Sequence, residues 1–153
     1  FQLSNIFACL TYARTIENIC EIGGGLGCSA RLWMTNPIQN INRYTIVDIP
    51  ESLFFAELFL KKTLPDSTII YVQPSFRYEN YSEISKAIFL CPIAQAGIIE
   101  GIPFDCITGV ASFQEMNDDW LMFWSDWLER QKANFFYAHN FNINKESFWR
   151  NNT

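Results

Sequence analysis

A glycine-rich segment near the start of the chain has the residue types and spacing of a ligand-binding turn. Residues 18–32 are Asn-Ile-Cys-Glu-Ile-Gly-Gly-Gly-Leu-Gly-Cys-Ser-Ala-Arg-Leu, in which an apolar run ends in an acid and glycines before a helical pattern begins. Glycine has no Cβ and adopts positive φ readily, so a ligand can approach the backbone of such a turn closely. The segment therefore predicts a nucleotide-like ligand between a strand and a helix.

The spacing of the glycines indicates which kind of nucleotide site this is. The glycines of the turn are Gly23, Gly24, Gly25 and Gly27. They give Glu-x-Gly-x-Gly-x-Gly, whereas the dehydrogenase pattern Gly-x-Gly-x-x-Gly would place its last glycine at Cys28. No Gly-Lys-Ser or Gly-Lys-Thr follows, which excludes a P-loop. The spacing favours a methyl-donor site in which Glu21 accepts hydrogen bonds from a ligand ammonium group; a turn that only permits close helix packing is the structural alternative.

A second acid ends the next strand-like segment. Residues 44–51 are Tyr-Thr-Ile-Val-Asp-Ile-Pro-Glu, with Asp48 at the end of the apolar run. In a doubly wound sheet the tip of the second strand lies beside the first, so we expect Asp48 to bind both ribose hydroxyls of an adenosine. Asp48, Pro50 and Glu51 also fit a helix capping box. The two roles are compatible.

These two segments, together with Phe104-Asp-Cys-Ile-Thr-Gly-Val-Ala-Ser-Phe-Gln-Glu-Met116, resemble the class I S-adenosylmethionine-dependent methyltransferases. The closest resemblance is to the sugar O-methyltransferases, and it spans about Glu17 to Phe141. It implies a Rossmann-like fold, S-adenosylmethionine as the cofactor and methyl transfer to a sugar hydroxyl. It implies that the methionine and ribose side of the donor is lined by Glu21, Gly23, Gly25 and Gly27, with Gly24 in the same turn. It also implies that Asp48 lies at the ribose, and that Ala111 and Ser112 lie near the donor at the end of the fourth strand.

Methyl transfer to a sugar hydroxyl requires a base, because this hydroxyl is a poor nucleophile even towards an activated sulfonium donor. His139, the only histidine, is predicted at the carboxyl end of the fifth strand, where open α/β sheets bind ligands. Glu115, after the fourth strand, is the other candidate for the catalytic base. Each also has a structural interpretation, as a packing histidine and as a carboxylate at a helix start. After the third strand only Gln95 is available for adenine, and we leave the adenine contacts unassigned.

Length and composition suit a single domain covering residues 1–153. The chain is 49% hydrophobic and 16% aromatic, which is enough for a substantial core. The net charge of −5 argues against a nucleic-acid partner, and no apolar run has the length of a membrane span. Five cysteines without a Cys-x-x-Cys pair indicate buried thiols in a reducing compartment, with neither disulfides nor a metal site. We therefore expect a cytoplasmic protein, and the resemblance implies that its acceptor is a saccharide or another small molecule.

Strand-like and helical segments alternate, which predicts an α/β fold with a doubly wound, mainly parallel sheet and helices on both faces. A helix within residues 1–16 is expected to precede a core at about 17–141. The predicted strands are 19–22, 44–47, 68–72, 88–91, 106–110 and 134–140, and the predicted helices are 28–34, 51–63 and one capped by Asn117. Which of 68–72 and 88–91 is the main third strand stays open. Little room follows Phe141 for the two antiparallel strands that usually complete such a sheet, so that edge is expected to be truncated or completed differently.

Three further expectations concern side-chain burial. The helix over 51–63 has so many apolar positions that burial on more than one face is expected, against the sheet and against another layer or chain. Residues 73–82, rich in turn residues and aromatics, are expected to form a surface loop near the site. The helix after Asn117 carries an apolar stripe that is expected to pack in the core rather than to bind sugar: Trp120, Phe123, Trp124, Trp127 and Leu128.

Two other classes of function stay open. A nicotinamide-dependent Rossmann enzyme would share the fold, although the glycine spacing disfavours it. A non-catalytic methyltransferase-like domain that serves assembly would tolerate the apparent lack of terminal strands. A homo-oligomer is compatible with either.

Overall fold

One parallel sheet organises the part of the chain that the computed structural model describes, which is residues 16–37, 40–131 and 133–140, without the side chain of Asn80. Its strands are β1 (Asn18–Ile22), β2 (Arg43–Asp48), β3 (Thr68–Tyr71), β4 (Ala87–Pro92), β5 (Cys106–Val110) and β6 (Phe135–His139). They pair in the order β3-β4-β2-β1-β5-β6, and every pair is parallel. This confirms the predicted doubly wound sheet. The predicted helix within residues 1–16 and the sheet edge beyond Asn140 lie outside the described residues.

Helices cover both faces of the sheet, as predicted. The α-helices are α1 (Cys28–Met34), α2 (Pro50–Thr63), α3 (Tyr78–Glu83) and α4 (Asp118–Arg130), and short 3-10 helices cover Ile93–Ile99 and Phe113–Glu115. Buried residues of α1 and α2 pack on one face, and those of α4 and the longer 3-10 helix pack on the other. In β1 the side chains alternate accordingly: Ile19 belongs to the first core, and Cys20 and Ile22 belong to the second. Coverage of both faces explains why the strands are continuous apolar runs.

The side on which successive strands are added to the sheet reverses at β1, and this switch point creates the site. From β1 the sheet extends through β2 and β4 to β3 on one side, and through β5 to β6 on the other. In open parallel sheets, the loops on the two sides of such a switch point leave a crevice at the carboxyl ends of the strands. The glycine turn after β1 and Asp48 at the end of β2 both lie at this edge.

The structure also settles the order of the third strand. The strand β4 lies next to β2, so the segment at 88–91 is the main third strand, and β3 is an additional strand at the sheet edge. The expected surface loop at 73–82 is wrong in part, because Tyr78–Glu83 forms α3 and the aromatic rings of Phe76 and Tyr81 are buried against Phe89. Phe76 and Tyr81 are therefore core residues, and their rings cover the outer part of the sheet.

The burial predictions are confirmed in part. Within the described residues α2 buries one face, through Leu53, Ala56 and Leu60, and Phe59 packs partly buried against the same core. Phe54, Phe55 and Leu58 are more than half exposed, so burial of their face against another layer or chain stays a prediction. In the stripe of α4, Trp124 and Trp127 are fully buried as predicted, but Trp120 and Phe123 are 40% and 36% exposed. Among the described cysteines, Cys28 is exposed, because it begins α1 on the solvent side of the glycine turn.

Asp105 links the starts of two strands at the end of the sheet opposite the crevice. Its Oδ2 accepts hydrogen bonds from the backbone N–H groups of Glu17 and Asn18, both at 2.9 Å. Asn18 begins β1 and Glu17 directly precedes it, just as Asp105 directly precedes β5. One carboxylate therefore sets the register between the two strands whose other ends form the crevice.

Replacing Asp105 by Ala should lower the free energy of unfolding by about 1–3 kcal/mol, because two partly buried N–H groups lose their acceptor. Urea unfolding followed by circular dichroism measures this change. Asp66→Ala, at an exposed position after α2, is the matched control and should change the stability by less than about 0.5 kcal/mol. Equal losses in the two variants would contradict the anchoring role of Asp105.

Candidate functional site

The glycine turn is held by the strands on both sides of β1. The N–H of Gly23 donates to the carbonyl oxygen of Val47 in β2 at 2.8 Å. On the other side, the Ser112 hydroxyl donates to the carbonyl oxygen of Ile22 at 2.7 Å. Gly23 has φ +75°, and a Cβ at this position would overlap the side chain of Ser112. Gly23 is therefore required both by its backbone conformation and by the close approach of the chain after β5.

Asp48 ties the end of β2 to the same turn. Its Oδ2 accepts from the N–H of Gly25 at 2.8 Å, and its Oδ1 accepts from its own neighbour, the N–H of Ile49, at 2.7 Å. The capping box predicted for Asp48 and Glu51 is wrong: Ile49 is the N-cap of α2, without a side-chain cap hydrogen bond. Each carboxylate oxygen can accept more than one hydrogen bond, so both oxygens retain capacity for hydroxyl donors.

Gly25 is the open point of the turn. It has φ +53°, is exposed, and a Cβ built on it would meet nothing within 4 Å. The space above it is therefore free for a ligand that approaches the backbone, as the sequence pattern predicts. This differs from Gly24, where a Cβ would press on Ile46 and on the carboxylate of Glu21.

Glu21 is buried beneath the turn, with 2% of its surface exposed. The Tyr44 hydroxyl donates to its Oε2 at 3.0 Å. Burial raises the pKa of the Glu21 carboxyl, and hydrogen bonds from Ser29 and Tyr44 oppose this shift only in part. The residues lining the cavity described below do not include Glu21. Its contact with a ligand ammonium group stays a prediction, and in this structure its visible role is to support the turn from below.

Ala111 and Ser112 form the link between β5 and the turn. The N–H of Ala111 donates to the carbonyl oxygen of His139 at 2.7 Å, and Ala111 has φ +57°. A non-glycine residue with positive φ is uncommon, and such strain is frequent at functional sites. Here the strained residue directs Ser112 towards the end of β1, where its hydroxyl is occupied by the Ile22 carbonyl.

A cavity of about 340 Å³ opens at the carboxyl ends of β1, β2 and β4. Its lining residues are Ile22, Gly23, Val47, Asp48, Ile49, Ile93, Glu115, Met116, Asn117, Trp120 and Trp124. Three of the predicted site residues, Gly23, Asp48 and Glu115, therefore line one space. The lining is mostly apolar with few polar groups, which is the usual composition of a small-molecule site.

The two candidate bases lie differently with respect to this cavity. Glu115 ends the short 3-10 helix after β5, is exposed, and lines the cavity. Its Oε1 accepts from the Gln114 side chain at 3.0 Å. His139 ends β6 and is partly buried, and it is absent from the cavity lining. Of the two, Glu115 lines this cavity and His139 does not. Among the described residues, no cluster of His, Cys, Asp and Glu could hold a metal ion.

Several lining residues were not expected from the sequence. Ile49 and Ile93 follow β2 and β4, where the strand ends carry no polar signal, and Trp120 and Trp124 belong to a stripe whose period predicts only core packing. Trp124 is fully buried, and its indole N–H has no acceptor among the described residues. The one sequence signal for this wall of the cavity is Asn117, the predicted N-cap. Its Oδ1 accepts a hydrogen bond from the Trp120 N–H at 3.0 Å, which confirms the predicted start of α4.

Comparison with known proteins supports the fold. The structure is similar to the methyltransferase domain of bacterial CtHen1-CN, with 14% sequence identity and a TM-score of 0.56 over 83% of this chain. This chain spans 57% of that domain's chain. A weaker likeness, with 16% identity and a TM-score of 0.43 over 72% of this chain and 34% of the other, is to a mutant of MtNAS in complex with S-adenosylmethionine. The chain therefore has the Rossmann-like fold found in a methyltransferase domain. No protein-family model and no curated protein matches the sequence.

The buried carboxyl of Glu21 should make stability depend on pH without any ligand. Its pKa is raised in the folded state, so below about pH 4.5 it is protonated in both states, and stability is lost as the pH rises through the raised pKa. Glu21→Gln removes this loss. Urea unfolding from pH 4 to pH 8 should show the variant gaining on the unmodified chain as the pH rises.

Glu57→Gln provides a control of opposite sign. The largely exposed Lys61 ammonium donates to the partly buried Glu57 carboxylate and lowers its pKa, so that contribution is present above the ordinary pKa and is lost as the pH falls. The Glu57→Gln variant should therefore lose stability relative to the unmodified chain with rising pH, by a smaller amount because solvent screens the pair. A pH-independent difference for Glu21→Gln would show that its carboxyl titrates alike in both states.

Proposed function

We propose that this chain is an S-adenosylmethionine-dependent methyltransferase that acts on a hydroxyl group of a saccharide. The observation that carries the proposal is the convergence of the glycine turn, Asp48 and Glu115 around one cavity at the switch point of the sheet. The glycine spacing and the sequence resemblance support the donor. The saccharide acceptor rests on the resemblance alone.

The residues present fit the donor. Gly25 leaves the backbone of the turn open to a methionine moiety, and the Asp48 oxygens can accept from the two ribose hydroxyls while they hold Gly25 and Ile49. Ile49 and Ile93 offer apolar surfaces for the adenine ring, and the unpartnered N–H of Trp124 lies in the same wall. Because Asp48 both binds the turn and would bind the ribose, the turn and the ligand are coupled through one carboxylate.

The chemistry requires alignment and one proton transfer. When bound, the donor supplies an activated methyl group, whose bond to sulfur breaks as its bond to the acceptor oxygen forms, so that S-adenosylhomocysteine leaves. The role of Glu115 in this scheme is to accept the hydroxyl proton and later release it to water. Met116 and Trp124 exclude water from the inner part of the cavity, so that the donor and the acceptor hydroxyl are held in a reactive orientation without solvent between them.

Isothermal titration with S-adenosylhomocysteine tests the donor site. We expect micromolar binding, and Asp48→Ala should weaken it by roughly 2 kcal/mol, or about 30-fold in Kd, because a charged hydrogen bond to the ribose and the anchor of the turn are both lost. NAD is the control ligand and should bind at least tenfold more weakly. Preferential binding of NAD would favour the nicotinamide enzyme. No binding of S-adenosylhomocysteine by the folded chain would favour the non-catalytic domain.

A pair of glycine substitutions separates ligand contact from backbone strain. Gly25 and Gly101 both have positive φ, and a Cβ would meet no protein atom within 4 Å at either position. Alanine should therefore cost each a similar amount of stability, about 1 kcal/mol. Only Gly25→Ala should also weaken S-adenosylhomocysteine binding, by at least about tenfold, since Gly25 bonds to the lining residue Asp48 and follows Gly23 in the same turn, whereas Gly101 lies in a different loop. Equal affinities in the two variants would remove the turn from the donor site.

The base is tested by turnover once an acceptor is at hand. Glu115→Gln should lower kcat by about 100-fold or more, which is the usual contribution of a general base. His139→Asn should leave kcat within about threefold, because His139 does not line the cavity. Unchanged turnover in Glu115→Gln would exclude it as the base, and a large loss in His139→Asn would assign the role to the histidine.

A further inference from the structure

Trp120 differs from the other tryptophans of α4. Trp124 and Trp127 follow it at helical spacing and are fully buried, whereas Trp120 is 40% exposed and still lines the cavity. An indole at the rim of a cavity offers a ligand a large, flat apolar face. The stripe is thus divided by the structure into a buried part and a part that faces the cavity mouth.

The position of Trp120 is fixed before any ligand binds. Its backbone N–H donates to Asn117 Oδ1 at 3.0 Å in the first turn of α4. Its ring meets Phe123 edge to face, with the centroids 5.5 Å apart and the planes at 84°. A side chain that is already held in place loses little conformational entropy on binding, so its surface contributes more to affinity.

The size of the cavity places the acceptor at the mouth. At about 340 Å³ it lies near the lower end of the range for a single small-molecule ligand. The donor would occupy the inner part, between the glycine turn, Asp48 and Ile93. The acceptor then has to contact the exposed rim, where Glu115, Asn117 and Trp120 lie next to one another along the chain.

The charge of the rim disfavours an anionic acceptor. Among the described residues, the cavity lining contains two carboxylates, Asp48 and Glu115, and no lysine, arginine or histidine. Asp118 and Asp119 are exposed in the adjoining first turn of α4. Phosphate or carboxylate groups would be repelled here. A pyranose ring suits the rim, because its polarised C–H face packs on the negative face of an indole, and its hydroxyls match the Glu115 and Asn117 side chains.

We propose that Trp120 is the platform of an acceptor subsite, on which one uncharged saccharide unit stacks while Glu115 and Asn117 bind its hydroxyls. This inference rests on the proposed function. Because the subsite is a rim and not an enclosed pocket, the rest of a longer glycan extends into solvent. Trp120 thereby selects the acceptor without taking part in the methyl transfer.

A glycan array probed with the chain saturated with S-adenosylhomocysteine tests this subsite. The array carries neutral, amine-bearing and phosphorylated glycans. The unmodified chain should bind a set of neutral glycans, Trp120→Phe should retain part of this binding, and Trp120→Ala should lose it by roughly tenfold to thirtyfold. Met122→Ala is the matched control, since Met122 is exposed on the same helix and does not line the cavity, and it should bind as the unmodified chain does. With a glycan that is methylated, Trp120→Ala should raise KM and leave kcat within about threefold.

Titration of the same variants with S-adenosylhomocysteine keeps the two proposals apart. Donor affinity should be unchanged within about threefold in Trp120→Ala, and circular dichroism should show that the variant is folded. If the donor binds but no neutral glycan does, if phosphorylated glycans bind better, or if Met122→Ala loses as much as Trp120→Ala, the subsite is overturned while the donor site stands. If the unmodified chain fails to bind the donor, the proposed function falls and the subsite falls with it.

Discussion

The site depends on how the end of β1 is fixed between its two neighbours in the sheet. On the β2 side the Gly23 N–H bonds to Val47, and on the β5 side the Ser112 hydroxyl bonds to the Ile22 carbonyl. The two contacts close around a residue that has no room for a Cβ. Because these contacts hold the turn at Gly23, the next residues lie beyond the carboxyl ends of the strands, and Gly25 is left with an open face. The cavity, Asp48 and the chain after β5 take their positions from these two contacts.

Glu21 and Asp48 are both acids near the carboxyl ends of the strands, but their different surroundings give them different roles. Glu21 points into the layer beneath the turn, where burial raises its pKa and a tyrosine hydroxyl is its partner. Asp48 lines the cavity and accepts hydrogen bonds from two backbone N–H groups. The buried Glu21 lies beneath the glycine turn, and Asp48 holds the turn through the Gly25 N–H. A turn supported from both sides presents its backbone in one conformation, which is a requirement for binding a ligand to a backbone.

The helix α4 serves the core and the cavity with one sequence. Its Asn117 cap fixes the first turn, and the apolar stripe then runs from the cavity mouth into the interior. Trp124 belongs to both, because it is fully buried and also lines the cavity. Packing of the stripe against the 3-10 helix, where the Trp127 indole donates to the Ala96 carbonyl, keeps that wall in place. Any movement of α4 relative to the sheet would change the cavity and the core together.

The sequence by itself determined the strands, three of the four α-helices, the glycine turn and the Asn117 cap, because each is encoded by neighbouring residues whose periodicity and backbone preferences act locally. Only the tertiary structure decided that β4 lies beside β2, that Asp48 bonds to Gly25 as well as to its neighbour Ile49, and that Trp120 lines the cavity. These outcomes join residues far apart in the chain, such as Ile22 and Ser112, which are 90 positions apart. A carboxylate or an indole can satisfy several partners equally well, and which one it meets is fixed by the packing of the sheet.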